Sequence, residues 1–427
     1  MMAVGSAHAQ SAPMIDPEDA VAPVAIVEGA GVKVGEGTVL HPQIGVEGGM
    51  VSNVFFTNTN PTAAAFMRVL GEVGAGSLSA KRLATTEHDA DHTQGENDYG
   101  QFEYRADLRA SYDYYLSDND RVTAQDGLGL GALFRGIVHP GQPLQFLAYD
   151  NYSRLIRPTN FESNSNTNRD INDIKLQVMY APSGRSLAGI IHYESIVDAF
   201  EQDTQKFADR FQNLIGFTLR YQWLPQTRVY ADVSQGVYTG ISSSVKVTSY
   251  PLMGLVGVQT LLSPLTSIVA RAGYQNGFYA SGPSYSSALA ALEFGWRYAP
   301  QGHFSFLYNY LHNDSINANY YRDHQFFATL EHALAPFDAF IQAGVIFREY
   351  NGVIVNFDMP MYGTGTRDDF LALGAAEFRY NFKDWLAASL AYHLTIDNTN
   401  FRYTVDGVME DPSYVRHEVL LGIRAAY

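Results

Sequence analysis

The sequence predicts an all-β fold, a single transmembrane up-and-down antiparallel β-barrel with short periplasmic turns and long extracellular loops. Three observations predict it. Long stretches alternate apolar and polar residues with period two, the last such stretch ends the chain on an aromatic residue, and the composition is rich in aromatics yet mildly polar.

Composition sets the class. Of 427 residues, 17% are charged and 13% aromatic, against about 25% charged in ordinary globular domains. Mean hydropathy is -0.13, and no run of about eighteen uncharged apolar residues occurs, which excludes transmembrane helices. A wall in which every second residue meets lipid and the others meet water has this composition. The chain has no cysteine, as suits an exported protein in an oxidising compartment. Its net charge of -16 argues against nucleic-acid binding, which needs a basic footprint.

From the N-terminus, Ala7-His8-Ala9 before Gln10 has the small-x-small form of a signal-peptidase site, although Met1 to Gly5 supply no charged n-region. Residues 1–9 are read as a signal-peptide remnant, 10–38 as a periplasmic N-terminal segment, and 39–427 as the barrel. The third strand alternates most clearly. Phe102, Tyr104, Ala106, Leu108, Ala110, Tyr112 and Tyr114 share one face, while Glu103, Arg105, Asp107, Arg109, Ser111 and Asp113 share the other. Such a strand is long enough to cross a bilayer at a tilt, which strands of typical soluble sheets are not. The pattern returns in Ala290–Tyr298, Phe304–Tyr310 and Ala339–Phe347, and aromatics gather at strand ends, as at Tyr221 with Trp223, Trp296 with Tyr298, and Phe382 with Trp385. An interfacial girdle places them there.

Connections alternate between two kinds. Short turns fall at His139-Pro140-Gly141, Pro182-Ser183-Gly184, Pro225-Gln226, Ser263-Pro264, Pro300-Gln301-Gly302, Ala335-Pro336 and Lys383-Asp384. Longer polar loops run from Pro158 to Arg169, Asp198 to Asp209, Tyr350 to Arg367 and Asn398 to Ser413. Parity makes Ser79 to Asp98 a periplasmic connection despite its length. The segments number about eighteen, with sixteen as the alternative, an even count as bacterial barrels require. The final strand carries Val415, His417, Val419, Leu421, Ile423, Ala425 and Tyr427 on one face. It closes the barrel against the strand near Ile44 and Val46, with Tyr427 at the periplasmic rim, and removes the open edge.

Short motifs add a family likeness. Leu40-His41-Pro42, Ser52-Asn53-Val54-Phe55 and Thr57-Asn58-Thr59-Asn60-Pro61 resemble the opening of the outer-membrane β-barrel porin type 2 family of Gram-negative bacteria. Asn151-Tyr152-Ser153-Arg154, Arg157-Pro158-Thr159-Asn160 and Asn276-Gly277-Phe278-Tyr279 look like later parts of it. The resemblance covers about Val39 to Tyr427 and implies a bacterial outer-membrane barrel. It carries over no catalytic residue and no substrate.

The candidate functional residues are those that parity turns into the lumen: Arg68, Glu72, Glu103, Arg105, Asp107, Arg109, Arg228, Asp232, Glu293, Arg297, Arg348, Glu377, Arg379, Arg416, Glu418 and Arg424. Rings of one sign select ions of the other; here the signs are mixed. Opposite charges on neighbouring strands form ladders that stiffen the wall, and a mixed lining orients polar solutes without strong charge selection. The loop Tyr350 to Arg367 is the candidate constriction, with Asp358, Tyr362 and Asp368. His88, Asp89, Asp91 and His92 beside Glu87 hold metal-ligand chemistry, but polar flanks without a scaffold make a solvated loop, so no metal site and no cofactor are assigned. A nucleophile elbow, a phosphate loop and a cysteine nucleophile are absent, so no catalytic residue is assigned. The expected function is a porin-like channel for small hydrophilic solutes in the bacterial outer membrane. Export of a secreted polysaccharide and a non-conducting surface-interaction barrel are the alternatives. Expected partners are outer-membrane lipid, lipopolysaccharide and, through the last strand, the barrel-assembly machinery.

Overall fold

The structure, a computed structural model, describes residues 31–34, 37–77, 101–155, 168–182, 186–241, 244–356, 358–363, 365–405 and 407–427. Alternating sequence becomes alternating burial along many of the strands. Eighteen antiparallel strands pair each with its chain neighbour. They are β1 (Val39–Val51), β2 (Ala64–Gly76), β3 (Phe102–Leu116), β4 (Gly127–Val138), β5 (Leu144–Leu155), β6 (Arg169–Tyr180), β7 (Leu187–Phe200), β8 (Arg210–Leu224) and β9 (Thr227–Gly240). The second half comprises β10 (Leu252–Ser263), β11 (Thr266–Asn276), β12 (Ser286–Ala299), β13 (Gly302–Asp314), β14 (Tyr320–Leu334), β15 (Phe337–Val353), β16 (Gly365–Lys383), β17 (Leu386–Thr399) and β18 (Tyr414–Ala426).

The barrel closes where the sequence places its seam. In the β1–β18 ladder, Ile44 faces Ala425 and Val46 faces Ile423, and the Tyr427 N–H donates to the Pro42 carbonyl at 3.0 Å. A two-residue strand, Val32–Lys33, pairs with Val39 and Leu40 and extends the sheet just past the end of β18. The expected Ser79 to Asp98 connection, the His88–His92 cluster, the Pro158–Arg169 loop up to residue 167, and the expected signal remnant lie outside the described residues.

Apolar side chains on the outer face stand free of protein. Ile44, Leu108, Val256 and Leu421 are each 60–64% exposed. A continuous apolar belt of this kind on a water-soluble protein would drive association; in a bilayer it meets acyl chains. Trp223, Trp296, Phe382 and Trp385 are exposed beside the short turns, at one edge of that belt. Short turns are periplasmic in bacterial barrels, which puts the long loops outside.

The long loops fold back over the barrel mouth. The β1–β2 loop sends Val54, and the one-turn helix α1 (Asp120–Thr123) of the β3–β4 loop sends Val122, onto Val51, Phe66, Tyr115 and Leu420 of the inner wall. Asn119 caps α1, its side chain accepting from the Arg121 N–H at 3.0 Å. Across the mouth, Lys246 Nζ donates to the carbonyls of Ser315, Ala318 and Asn319 at 2.6, 2.7 and 3.0 Å. It also lies over the rings of Tyr238 and Tyr362. Tyr279 donates to Asp314, and burial raises the Tyr279 phenol well above its ordinary range, which keeps the donor proton in place.

Candidate functional site

The inner wall carries the polar set of each alternating strand, and register decides who meets whom. At the seam Glu47 on β1 lies between Arg424 of β18 and Arg68 of β2, with Glu47 Oε2 3.6 Å from Arg68 Nη1. Arg68 in turn holds Asp113 of β3 through Nε–Oδ1 at 2.6 Å and Nη2–Oδ2 at 2.9 Å. Four strands are thus tied by charge from one end of the chain to the other. Arg105 and Asp107, two residues apart and therefore on one face, pair at 2.7 Å. Farther round the wall, on β14 and β15, Arg348 holds Asp323 bidentately, both bonds 2.8 Å, with Tyr321 stacked beneath the guanidinium at 3.9 Å. Bidentate geometry of this kind is the strong form of the pair.

Two populations emerge. Glu47, Arg68, Glu72, Glu103, Arg105, Asp107, Asp113, Asp323, Arg348, Glu418 and Arg424 are buried within the wall. The second population is open to the lumen: Arg109, Lys175 and Arg271 keep 36, 41 and 37% of their side chains exposed. Their partners are Glu72 at 3.8 Å, Asp173 and Glu194 at 2.9 and 3.0 Å, and Glu293 at 3.8 Å. Asp232 accepts from Thr218 Oγ1 at 2.6 Å and contacts His192 at 3.0 Å. Glu377 meets His393 at 3.4 Å and Arg379 Nε meets Asp338 at 2.9 Å. Arg228 donates to Gln222 at 3.3 Å, Arg416 pairs with Glu418 at 2.8 Å, and Arg297 is exposed beside a short turn.

The wall is not polar all round. Phe327, Ile346 and Leu371, packed with Leu307 and Leu373, make an apolar inner patch on β13–β16. Parity reasoning from charges alone missed this patch. It also missed Glu47, Asp323, Lys175 and Arg271, although their strand parity is legible.

The expected constriction loop differs in extent and in membership. Strand β15 continues to Val353 and β16 begins at Gly365, so the loop is 354–364. Tyr362 is buried and its hydroxyl donates to the Ile316 carbonyl, which binds the loop to the cap at the mouth. Asp358 is exposed and accepts from the Gly407 N–H at 3.0 Å. Asp368 does not border the lumen. It stands in β16 opposite Glu349, and alternates with Arg367 and Asp369, which are the buried, inward pair. Period two therefore turns Asp368 outward.

No protein-family model and no curated protein matches the chain, so the likeness to the type 2 porins stays one of short motifs. Solved outer-membrane barrels do resemble it. OccAB4 of Acinetobacter baumannii is 10% identical over 91% of this chain and 98% of its own, with a TM-score of 0.44. OccK1 (OpdK) and OccK5 (OpdH) of Pseudomonas aeruginosa are 7% and 8% identical over 91% of this chain and 99% and 98% of theirs, with TM-scores of 0.46 and 0.45. What this barrel does has to be read from its own residues.

Proposed function

We propose that the chain is an outer-membrane channel passing small hydrophilic solutes through a mixed-charge lumen. One observation carries the reading. A closed barrel of eighteen strands is apolar outside and lined inside by opposite charges in pairs, some of them open to the lumen. Barrels near this strand number enclose aqueous channels, and balanced pairs favour polar solutes over ions of one sign.

Planar-bilayer recording tests it. Steady conductance steps with near-neutral ion selectivity are the expected result, and a folded barrel that stays electrically silent overturns the reading. Silence would instead favour a non-conducting surface-interaction barrel. The observation on that side is the hydrogen-bonded cap that Lys246, Tyr362 and residues 315–319 build at the mouth.

A further inference from the structure

The outer wall of β14–β17 carries a groove that the channel reading does not use. Its cavity of about 490 Å³ is lined by Arg322, His324, Phe347, Glu349, Asp368, Phe370, Asn398 and Asn400, among others. Register sorts these into two tiers. His324, Phe347, Phe370 and Asn398 stand opposite one another across the four strands, and Arg322, Glu349 and Asp368 form the next outward row toward the long loops. Phe347 and Phe370 are 51% and 37% exposed, while the alternating residues Ile346, Arg348, Asp369 and Leu371 are buried on the lumen side. The groove therefore opens outward, at the long-loop edge of the lipid belt.

That depth is the headgroup layer of the outer leaflet, and the lining has the chemistry of sugar recognition. The Phe347 and Phe370 rings, centroids 5.4 Å apart, make an apolar floor for the C–H face of a pyranose ring. Above them stand fixed hydrogen-bonding groups. Asn400 Nδ2 donates to Asp368 Oδ2 at 3.1 Å and Asn400 Oδ1 accepts from the Asp368 N–H at 3.2 Å. Glu349 is held by Arg322 and by Asn351 Nδ2, the latter at 3.1 Å. These carboxylates are oriented before any ligand arrives, yet exposed enough to accept from hydroxyls. The exposed Asn398 amide has no side-chain hydrogen bond to the described residues. A site with an apolar floor and few, fixed polar groups is the usual form of a small-ligand pocket. With two carboxylates against one guanidinium at its upper row, this groove fits neutral sugar hydroxyls better than phosphate.

We propose that the groove binds a saccharide ring of an outer-leaflet glycolipid headgroup. This rests on the reading of the chain as an outer-membrane barrel, but not on conduction through it. The test uses the full chain reconstituted in phosphatidylcholine vesicles with or without lipopolysaccharide, following thermal unfolding. Lipopolysaccharide is expected to raise the wild-type Tm. The Phe347→Ala/Asn398→Ala double variant is expected to lose at least half of that rise, whereas Leu108→Ala, on the outer face of β3, keeps it. Heat-dependent gel mobility confirms that each variant is folded. An equal rise in the double variant overturns the proposal. So does a rise produced as strongly by the deacylated oligosaccharide alone, which would make the ligand a free glycan. A Tm that follows protein density in both vesicle types also overturns it, by giving the groove to a second copy. Single-channel conductance, measured on the same samples, reports separately on the channel reading.

Discussion

Glu47 and Arg424 form a buried ion pair across the seam that joins the first strand to the last. Each is almost wholly out of solvent, and Arg68 approaches Glu47 from the other side at 3.6 Å. Removing one partner of a buried pair leaves an uncompensated charge and costs about 3–5 kcal/mol. With Arg68 still beside Glu47, Arg424→Met is expected to lower unfolding stability by less than that full amount in urea titrations of the vesicle-inserted barrel. Glu47→Gln/Arg424→Met is expected to cost less than Arg424→Met alone. Equal stability of the wild type and Arg424→Met would show that the pair does not hold the seam.

Gly422 makes the room for that pair. A Cβ added there would stand 2.9 Å from Glu47 Cγ and 3.1 Å from Ser389 Oγ, closer than side chains normally pack. Overpacking costs about 1–3 kcal/mol, so Gly422→Ala is expected to destabilise within that range. Gly48→Ala, where an added Cβ meets nothing within 4 Å, is the control and is expected to stay near wild type in the same titration.

How much of this was legible in the sequence follows from what period two can encode. Alternation reports which face a residue takes, so β3 reads cleanly from Phe102 to Tyr114 and its charges do turn inward. It does not report register. Arg68 pairs with Asp113, 45 residues away, rather than with the nearby Glu72, because partner choice depends on how two strands slide against each other. Glu47 was hidden for another reason. It sits between Gly45 and Gly49, so its inward face shows no run of side chains to announce it. Asp368 was misplaced because Gly363-Thr364-Gly365 reads as loop, whereas the strand resumes at Gly365 and parity then runs outward. The cap at the mouth depends on contacts between distant loops, which no local pattern carries.

Asp150 is an exception to the lipid-facing pattern. Its register partners are Phe134 on β4 and Ile174 on β6, both on the outer face, and it stands mid-strand in β5. Its Oδ1 has no hydrogen-bond partner. Charged groups on the lipid face destabilise barrels by roughly 2–4 kcal/mol at the midplane for Arg and Lys, and by less for Asp. Asp150→Leu is accordingly expected to stabilise the barrel by less than that amount. A loss of stability in vesicle unfolding would show instead that Asp150 has a polar partner in the membrane.

The two charge populations predict different phenotypes. Arg109 is open to the lumen and only loosely held by Glu72 at 3.8 Å, whereas Arg105 is buried against Asp107. Arg109→Glu is expected to shift the reversal potential toward cation preference under a salt gradient, with little change in unfolding. Arg105→Ala is expected to do the reverse, leaving selectivity near wild type and lowering stability. If both variants altered selectivity alike, burial would not be what separates wall charges from lining charges.

Lys246 ties loop segments together at the mouth. Its ammonium satisfies three carbonyls of the 315–319 turn and sits 5.1 and 5.0 Å from the ring centres of Tyr238 and Tyr362. Methionine has similar length and no donor, so Lys246→Met would leave those carbonyls without their partner. The β13–β14 turn and the 354–364 loop that leans on it through Tyr362 would then loosen together. The expected outcome is larger and noisier single-channel conductance, with faster proteolysis of the β13–β14 turn in intact vesicles. The strand ladders should be little affected, because the three carbonyls that Lys246 holds lie in the 315–319 turn, and the folded band on a gel is expected to persist at the wild-type temperature. Unchanged conductance together with faster proteolysis would place the narrowest point below the cap, among the inward charges of the wall.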